Sequence, residues 1–290
     1  MRYNKVIELL ESGRTVFGCL PLDNDEEIAT IARSDYDFVM IETEHTGFDG
    51  HRIGRALQGM LDRRVLVENA TLQPSVTPFV RIAANAREKT EWQIKQALDA
   101  GAYGIVAPHL DSVEGAMAAV RAARYPQVPG APDEDPPGIR GWAGSPAPRY
   151  WGLTNSDYYD VADLWPLDPN GEILLMGIVE SRAGLEALPR ILESVQGIGA
   201  IWAGAGDLSV SLGYRGEQTP EVETALLQIL DICRAAGVPC GTQANQWRDS
   251  ERRVDEGYQI VLTRPELRFD QLQRGRNRAG RVGSFGETAV

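Results

Sequence analysis

Short aliphatic runs recur along the chain, at about 16–20, 38–42, 79–83, 104–108, 173–179, 200–203, 238–243 and 259–263, and stretches with helical periodicity lie between them. This is the rhythm of βα units, because successive parallel strands must be joined by a crossover, usually a helix. The periodicity is clearest at 26–33, 91–100, 113–123, 185–195 and 221–236, and Gly101, Gly197 and Gly237 stand where helices stop. Eight such units can wind into an open sheet or close on themselves. The strand count and a length of 290 residues favour closure into a single-domain TIM (β/α)8 barrel spanning 1–290. A helix at 5–12 would plug the bottom of that barrel.

One segment breaks the rhythm. Nine of the 17 prolines fall between Pro126 and Pro169, together with Trp142, Trp151, Trp165, Tyr158 and Tyr159. The resulting insertion, 127–171, lies between the fourth and fifth units, and a connection of this length is expected to be a lid or an oligomer contact. A Gly- and Arg-rich tail, 274–290, closes the chain.

Composition excludes several partners. With 29 Lys and Arg against 41 Asp and Glu, the net charge of −12 argues against nucleic acid, which requires a clustered basic face. No run approaches the roughly 18 apolar residues of a membrane span, and the first residues lack the apolar core of a secretion signal. Cys19, Cys233 and Cys240 match neither a redox pair nor a zinc site. The expected compartment is the cytoplasm.

Barrel chemistry collects at the C-terminal ends of strands, so polar residues there carry the most weight. The second strand ends Ile-Glu-Thr-Glu-His at 41–45, making His45 the candidate for proton transfer; an exposed histidine with acidic neighbours is the alternative. Arg81, inside the third strand, requires an acceptor, either an anionic substrate or a structural ion pair. Glu180 ends the fifth strand and Asp207 follows the sixth. Two carboxylates at adjacent strand ends form a ligand set suited to a hard divalent ion, Mg2+ or Mn2+. Asp207 as a helix N-cap is the bland alternative. Gly204 and Gly206 let the backbone approach a ligand.

Taken in order, IETEH (41–45), VRIA (80–83), QIKQALDAGAYGIVAP (93–108), RAARYPQ (121–127), GIRGWA (138–143), GIVES (177–181) and WAGAGDLSVSLG (202–213) resemble the HpcH/HpaI aldolase family from about residue 15 to 265. The resemblance implies a class II pyruvate aldolase of the type acting on 4-hydroxy-2-oxoheptanedioate or 2-keto-3-deoxy sugar acids. His45 is then the proton acceptor, with Asp99 raising its basicity, and Arg81 stabilises the enolate. Glu180 and Asp207 bind the metal (Mg2+ or Mn2+, with Co2+ or Zn2+ as alternatives), while Gly206, Arg81 and Asp207 contact substrate. It further implies a 2-keto acid and an aldehyde as partners, and a homo-oligomer, a hexamer or trimer of dimers, built by exchange of a C-terminal helix, for which 266–274 is the candidate.

The chain departs from the family pattern in Ile178, where a Gln is usual, in Glu42 for Asp, and in Ala205-Gly206 for Pro-Ala. Lys5, Lys89 and Lys95 stand at no strand end, which disfavours a Schiff-base mechanism. The rival readings are a 2-keto acid decarboxylase or acyl-CoA lyase on the same site, a metal-independent glycosidase, and a non-catalytic barrel.

Overall fold

The computed structural model describes residues 2–84, 88–142, 146–245, 248–265 and 270–281. Its strands are β1 (Val16–Leu22), β2 (Phe38–Glu42), β3 (Thr77–Arg81), β4 (Gly104–Ala107), β5 (Leu164–Trp165), β6 (Ile173–Val179), β7 (Ala200–Ala203), β8 (Cys240–Gln243) and β9 (Ile260–Thr263). All the pairings are parallel. The order β4-β3-β2-β1-β9-β8-β7-β6 is closed by pairing of β4 with β6. Eight strands therefore make the expected TIM barrel, and β5 is a two-residue appendage on β6. In β1 the register against β2 slips between Cys19 and Leu22, around Pro21, which has no N–H to give to a ladder.

Side chains alternate across a strand, so the register assigns the barrel interior. Gly18 pairs with Phe38, Met40 with Phe79, and Phe79 with Gly104. A Cβ at Gly18 would lie 2.2 Å from the Phe38 ring, and one at Gly104 would lie 2.6 Å from Phe79. Phe38 and Phe79, with centroids 4.9 Å apart, fill the space that those glycines leave. The lower interior is thus closed by rings. The same alternation carried to the C-terminal ends brings Glu42, Arg81, Glu180, Trp202 and Gln243 to the mouth.

The helix Lys5–Glu11 covers the N-terminal end. Asn4 caps it, and the Asn4 amide donates to the carbonyls of Tyr103 and Glu172, at the starts of β4 and β6, at 3.0 and 3.1 Å. Val6 and Ile7 are fully buried beneath the barrel.

The insertion lies at this same end, and the lid reading is thereby corrected. It holds two helices, Pro146–Trp151 and Asn155–Val161, besides β5. Trp151 stacks on Tyr103 with centroids 4.0 Å apart, and its indole N–H donates to the Gly101 carbonyl at 2.9 Å. Arg124, fully buried, donates to both Asp163 oxygens at 2.7 Å. The physical reason is topological: a connection leaving a helix C-terminus to enter β6 must arrive at the N-terminal face, opposite the mouth.

The described part of the C-terminal helix is Asp270–Arg278, overlapping the expected 266–274, of which 266–269 lie outside the described residues, as do 282–290. Its far end docks on its own barrel. Arg276 donates to the Asp35 carbonyl at 2.8 Å and Arg281 to Asp37 at 2.9 Å. Asp37 is fully buried; burial alone would raise its pKa, but Arg281 and Lys5 hold it below the ordinary value.

Candidate active site

At the mouth, Glu42 and Arg81 are register partners at the ends of β2 and β3. Arg81 Nε donates to Glu42 Oε2 at 2.9 Å, Nη2 bonds the same oxygen, and Nη1 lies 3.3 Å from Glu44 Oε2. The acceptor required by a strand-borne arginine is therefore, in the first instance, a pair of glutamates. Backbone N–H groups of Glu44 and His45 donate to Glu42 Oε1 at 2.6 and 3.2 Å, so Glu42 also folds the chain after β2 into a turn. That turn holds His45 at the rim, its side chain 67% exposed and its Nε2 3.5 Å from Glu44 Oε2. Burial raises the pKa of Glu44, against the opposing pull of Arg81.

Glu180, one residue beyond β6, is 5% exposed. Its Oε1 accepts the backbone N–H of His109 at 2.9 Å. Burial pushes the Glu180 carboxyl up to about 7; His109 opposes the rise, whereas the carboxylates of Glu44 and Asp207 add to it. Room for this side chain comes from Gly204, where a Cβ would sit 2.8 Å from Ile178 and 2.9 Å from Glu180 Cβ. Gly206, by contrast, faces open space. Asp207 is the third residue of the helix Ala205–Leu212, whose N-cap is Gly204. The capping alternative for Asp207 is thus excluded.

Two cavities meet here. One of about 520 Å3 is bounded by Arg81, Glu180, Trp202, Asp207, Gln243 and Arg264, among others. The second, of about 580 Å3, is bounded by His109, Asp111, Glu180, Ser181 and Asp207 among others. Glu180 and Asp207 border both. A buried carboxylate surrounded by further carboxylates is unfavourable unless paired. A divalent cation between Glu180 and Asp207 meets that need, so the donor set fits a hard metal ion.

The described residues contain another acidic group with oxygens close enough to hold an ion, Asp133, Asp163 and Asp168. It lies in the insertion, at the opposite end of the barrel. The Arg124 guanidinium already pairs with Asp163 and Asp133 there, so its charge is met from within the chain.

Asp99 is not brought to His45 within the chain. The helix Glu91–Ala100 runs from the mouth at the end of β3 down to the start of β4, which leaves Asp99 at the N-terminal end, opposite His45. Its carboxylate accepts from Arg140 Nη2 at 2.8 Å. Within the chain, the carboxylate next to His45 is that of Glu44.

His109 is the residue that sequence reasoning passed over. It follows β4 in the left-handed region, with φ of 51°, a backbone state that persists in non-glycine residues only where the surroundings enforce it. Its Nε2 lies 4.0 Å from Glu180 Oε1 and its Nδ1 3.6 Å from Asp111 Oδ2, while Ser181 donates to Asp111 at 2.6 Å. The strand-end rule that singles out His45 applies equally to His109. What distinguishes it is Glu180, 71 residues further on, a neighbour supplied only by barrel closure.

Known proteins share this architecture and these sequence features. The chain is 27% identical over 260 residues to the hydroxypyruvate/pyruvate aldolase of Paraburkholderia phytofirmans, covering 89% of this chain and 90% of that one. It is 32% identical over 236 residues to the enzyme of the same name from Roseovarius nubinhibens, with 79% of each covered. The crystal structure of an HpcH/HpaI aldolase/citrate lyase family protein from Burkholderia cenocepacia superposes with a TM-score of 0.72 at 28% identity, covering 95% of this chain and 97% of that one. The model of that family matches residues 16–263, from the first residue of β1 to the last of β9; barrel and mouth alike therefore make this chain a member of the HpcH/HpaI aldolase/citrate lyase family.

Proposed function

We propose that the chain is a metal-dependent class II aldolase that takes a proton from the carbon beside the keto group of a pyruvate-type 2-keto acid and joins the resulting enolate to an aldehyde, or catalyses the reverse cleavage. The observation that carries this reading is the buried Glu180 carboxylate, which lines one cavity together with Asp207 and Arg81. A divalent cation, Mg2+ or Mn2+, held by Glu180 and Asp207 would supply Lewis-acid polarisation of the keto acid.

The chain's own residues do the rest. Arg81 presents a fixed planar fork already oriented by Glu42 and Glu44, a geometry suited to the oxygens of a keto acid as negative charge develops on them. His45, at the rim beside Glu44, moves the proton to and from carbon. Gly206 and Asp207, in the first turn of the helix Ala205–Leu212, border the same cavity, and a helix N-terminus favours a carboxylate. Lys5 and Lys95 sit on helices and Lys89 outside the strands, in keeping with chemistry that needs no Schiff base.

Exposed Val128, Ile139 and Trp142 on the insertion support assembly into a homo-oligomer, proposed to be a hexamer, which light scattering would test. Three unpaired, buried cysteines fit a reducing, cytoplasmic setting. No helix among the described residues is long and apolar enough to cross a membrane.

The deciding experiment follows deuterium loss from the methyl group of labelled pyruvate, with and without chelator. Exchange that depends on Mg2+ or Mn2+ and is lost in Glu180→Ala is expected. Full exchange in that variant without metal would refute the site.

A further inference from the structure

The 580 Å3 cavity shares Glu180 and Asp207 with the keto-acid site, but His109, Asp111 and Ser181, which also border it, take no part in the enolate chemistry. The His109 ring stands between two carboxylates: Nε2 lies 4.0 Å from Glu180 Oε1, and Nδ1 lies 3.6 Å from Asp111 Oδ2. Asp111 is itself held in place. The Ser181 hydroxyl donates to its Oδ1 at 2.6 Å, and Gly184 leaves it room, since a Cβ there would lie 2.9 Å from that oxygen. The Ser181 oxygen in turn accepts the Gly184 N–H at 2.9 Å. The left-handed backbone of His109, at φ of 51°, is fixed by its N–H, which donates to Glu180 Oε1. A carboxylate beside one imidazole nitrogen keeps the proton there and leaves a lone pair on the other, the arrangement that orients histidines which bind metal ions.

We propose that His109 Nε2 is a third protein ligand to the cation held by Glu180 and Asp207, with Asp111 as the carboxylate that orients it. This rests on the metal reading of the site and adds a nitrogen to its oxygen ligands. Divalent ions bond nitrogen and oxygen at about 2.0–2.2 Å, so two ligand atoms of one ion stand up to about 4.4 Å apart. The 4.0 Å between Nε2 and Glu180 Oε1 is within that span. Glu180 Oε1 uses one lone pair on the His109 N–H and keeps the other. The consequence is selectivity. Carboxylates and water suit Mg2+, whereas imidazole favours later divalent ions such as Co2+ and Zn2+, so His109 tunes the site toward the latter.

The test loads the full-length protein, stripped of metal, with Mn2+ alone and records electron spin echo envelope modulation, which detects nitrogen bonded to the ion. The wild type is expected to show imidazole nitrogen. The chain has three histidines, so a double variant, His45→Ala with His51→Ala, should keep the signal and His109→Asn should lose it. Asparagine tolerates the left-handed backbone and retains the N–H to Glu180. By isothermal titration, Co2+ affinity should fall by about 10- to 100-fold in Asp111→Asn, the scale of a lost outer-shell partner, and by at least as much in His109→Asn, while Mg2+ affinity changes little. A wild type without nitrogen modulation, a signal that persists in His109→Asn, or equal losses of Co2+ and Mg2+ affinity would overturn the ligand assignment and leave the pair of Glu180 and Asp207 in place. Mn2+ binding unaffected by Glu180→Ala would overturn both.

Discussion

Glu180 should make the metal-free protein less stable than it would be without this residue, and by an amount that depends on pH. In the fold its carboxyl titrates at about 7, against 4.5 in the unfolded chain. Between those values the folded state holds the proton that the unfolded state has lost. Stability therefore falls as pH rises through this window, and the full penalty is present above pH 7. At about 1.4 kcal/mol per tenfold difference in proton affinity, the penalty at pH 8 is roughly 3 kcal/mol. Glu180→Gln removes it while keeping an oxygen to accept the His109 N–H. The chelated variant should be about 2–3 kcal/mol more stable than the chelated wild type at pH 8, or roughly 5 °C in Tm for a chain of this size. At pH 5 the difference should shrink to about 1 kcal/mol or less. Saturating Mn2+ should reverse the order, since only the wild type gains the binding energy of the ion. Thermal unfolding followed by circular dichroism at both pH values checks each step. A gain that is the same at pH 5 and pH 8, or no gain at all, would refute the argument from carboxylate burial.

Arg81→Lys is expected to lower kcat by about 10²-fold or more, on the scale of a lost oxyanion donor, because an ammonium cannot span Glu42, Glu44 and substrate oxygens together; unchanged turnover would mark Arg81 as purely structural. Gly204→Ala would drive a methyl group into Ile178 and Glu180, so metal affinity measured by isothermal titration should fall by about tenfold or more, as when an outer-shell contact is lost. His45→Ala should reduce pyruvate deuterium exchange by about 10²- to 10⁴-fold, the range for general acid–base groups; a larger loss in His109→Ala at saturating Mn2+ would move the proton-transfer role to His109. Asp99→Asn leaves the fully buried Arg140 side chain without its carboxylate and should destabilise the fold by about 3 kcal/mol, read as a lower Tm, whereas an unchanged Tm would show that the tyrosines around Arg140 suffice.

Each of the eight apolar runs in the sequence became a barrel strand, because a strand buried on both faces reads as a continuous aliphatic run whatever its partners. Strand ends were legible for the same reason, and they brought Arg81, Glu180 and Asp207 to attention before any neighbour was known. The sequence by itself could not place Asp99, whose neighbourhood depends on which way its helix runs relative to the mouth. It left the insertion open between lid and contact loop, although a connection entering β6 from a helix is confined to the N-terminal face once the barrel closes. Nor could it supply the pairings of Arg81 with Glu42, His109 with Glu180, and Arg124 with Asp163, which span 39 to 71 residues. Local pattern determines where each strand begins and ends; the contacts between strands, and hence which charges are buried together, are set by closure, and only the tertiary structure decides them.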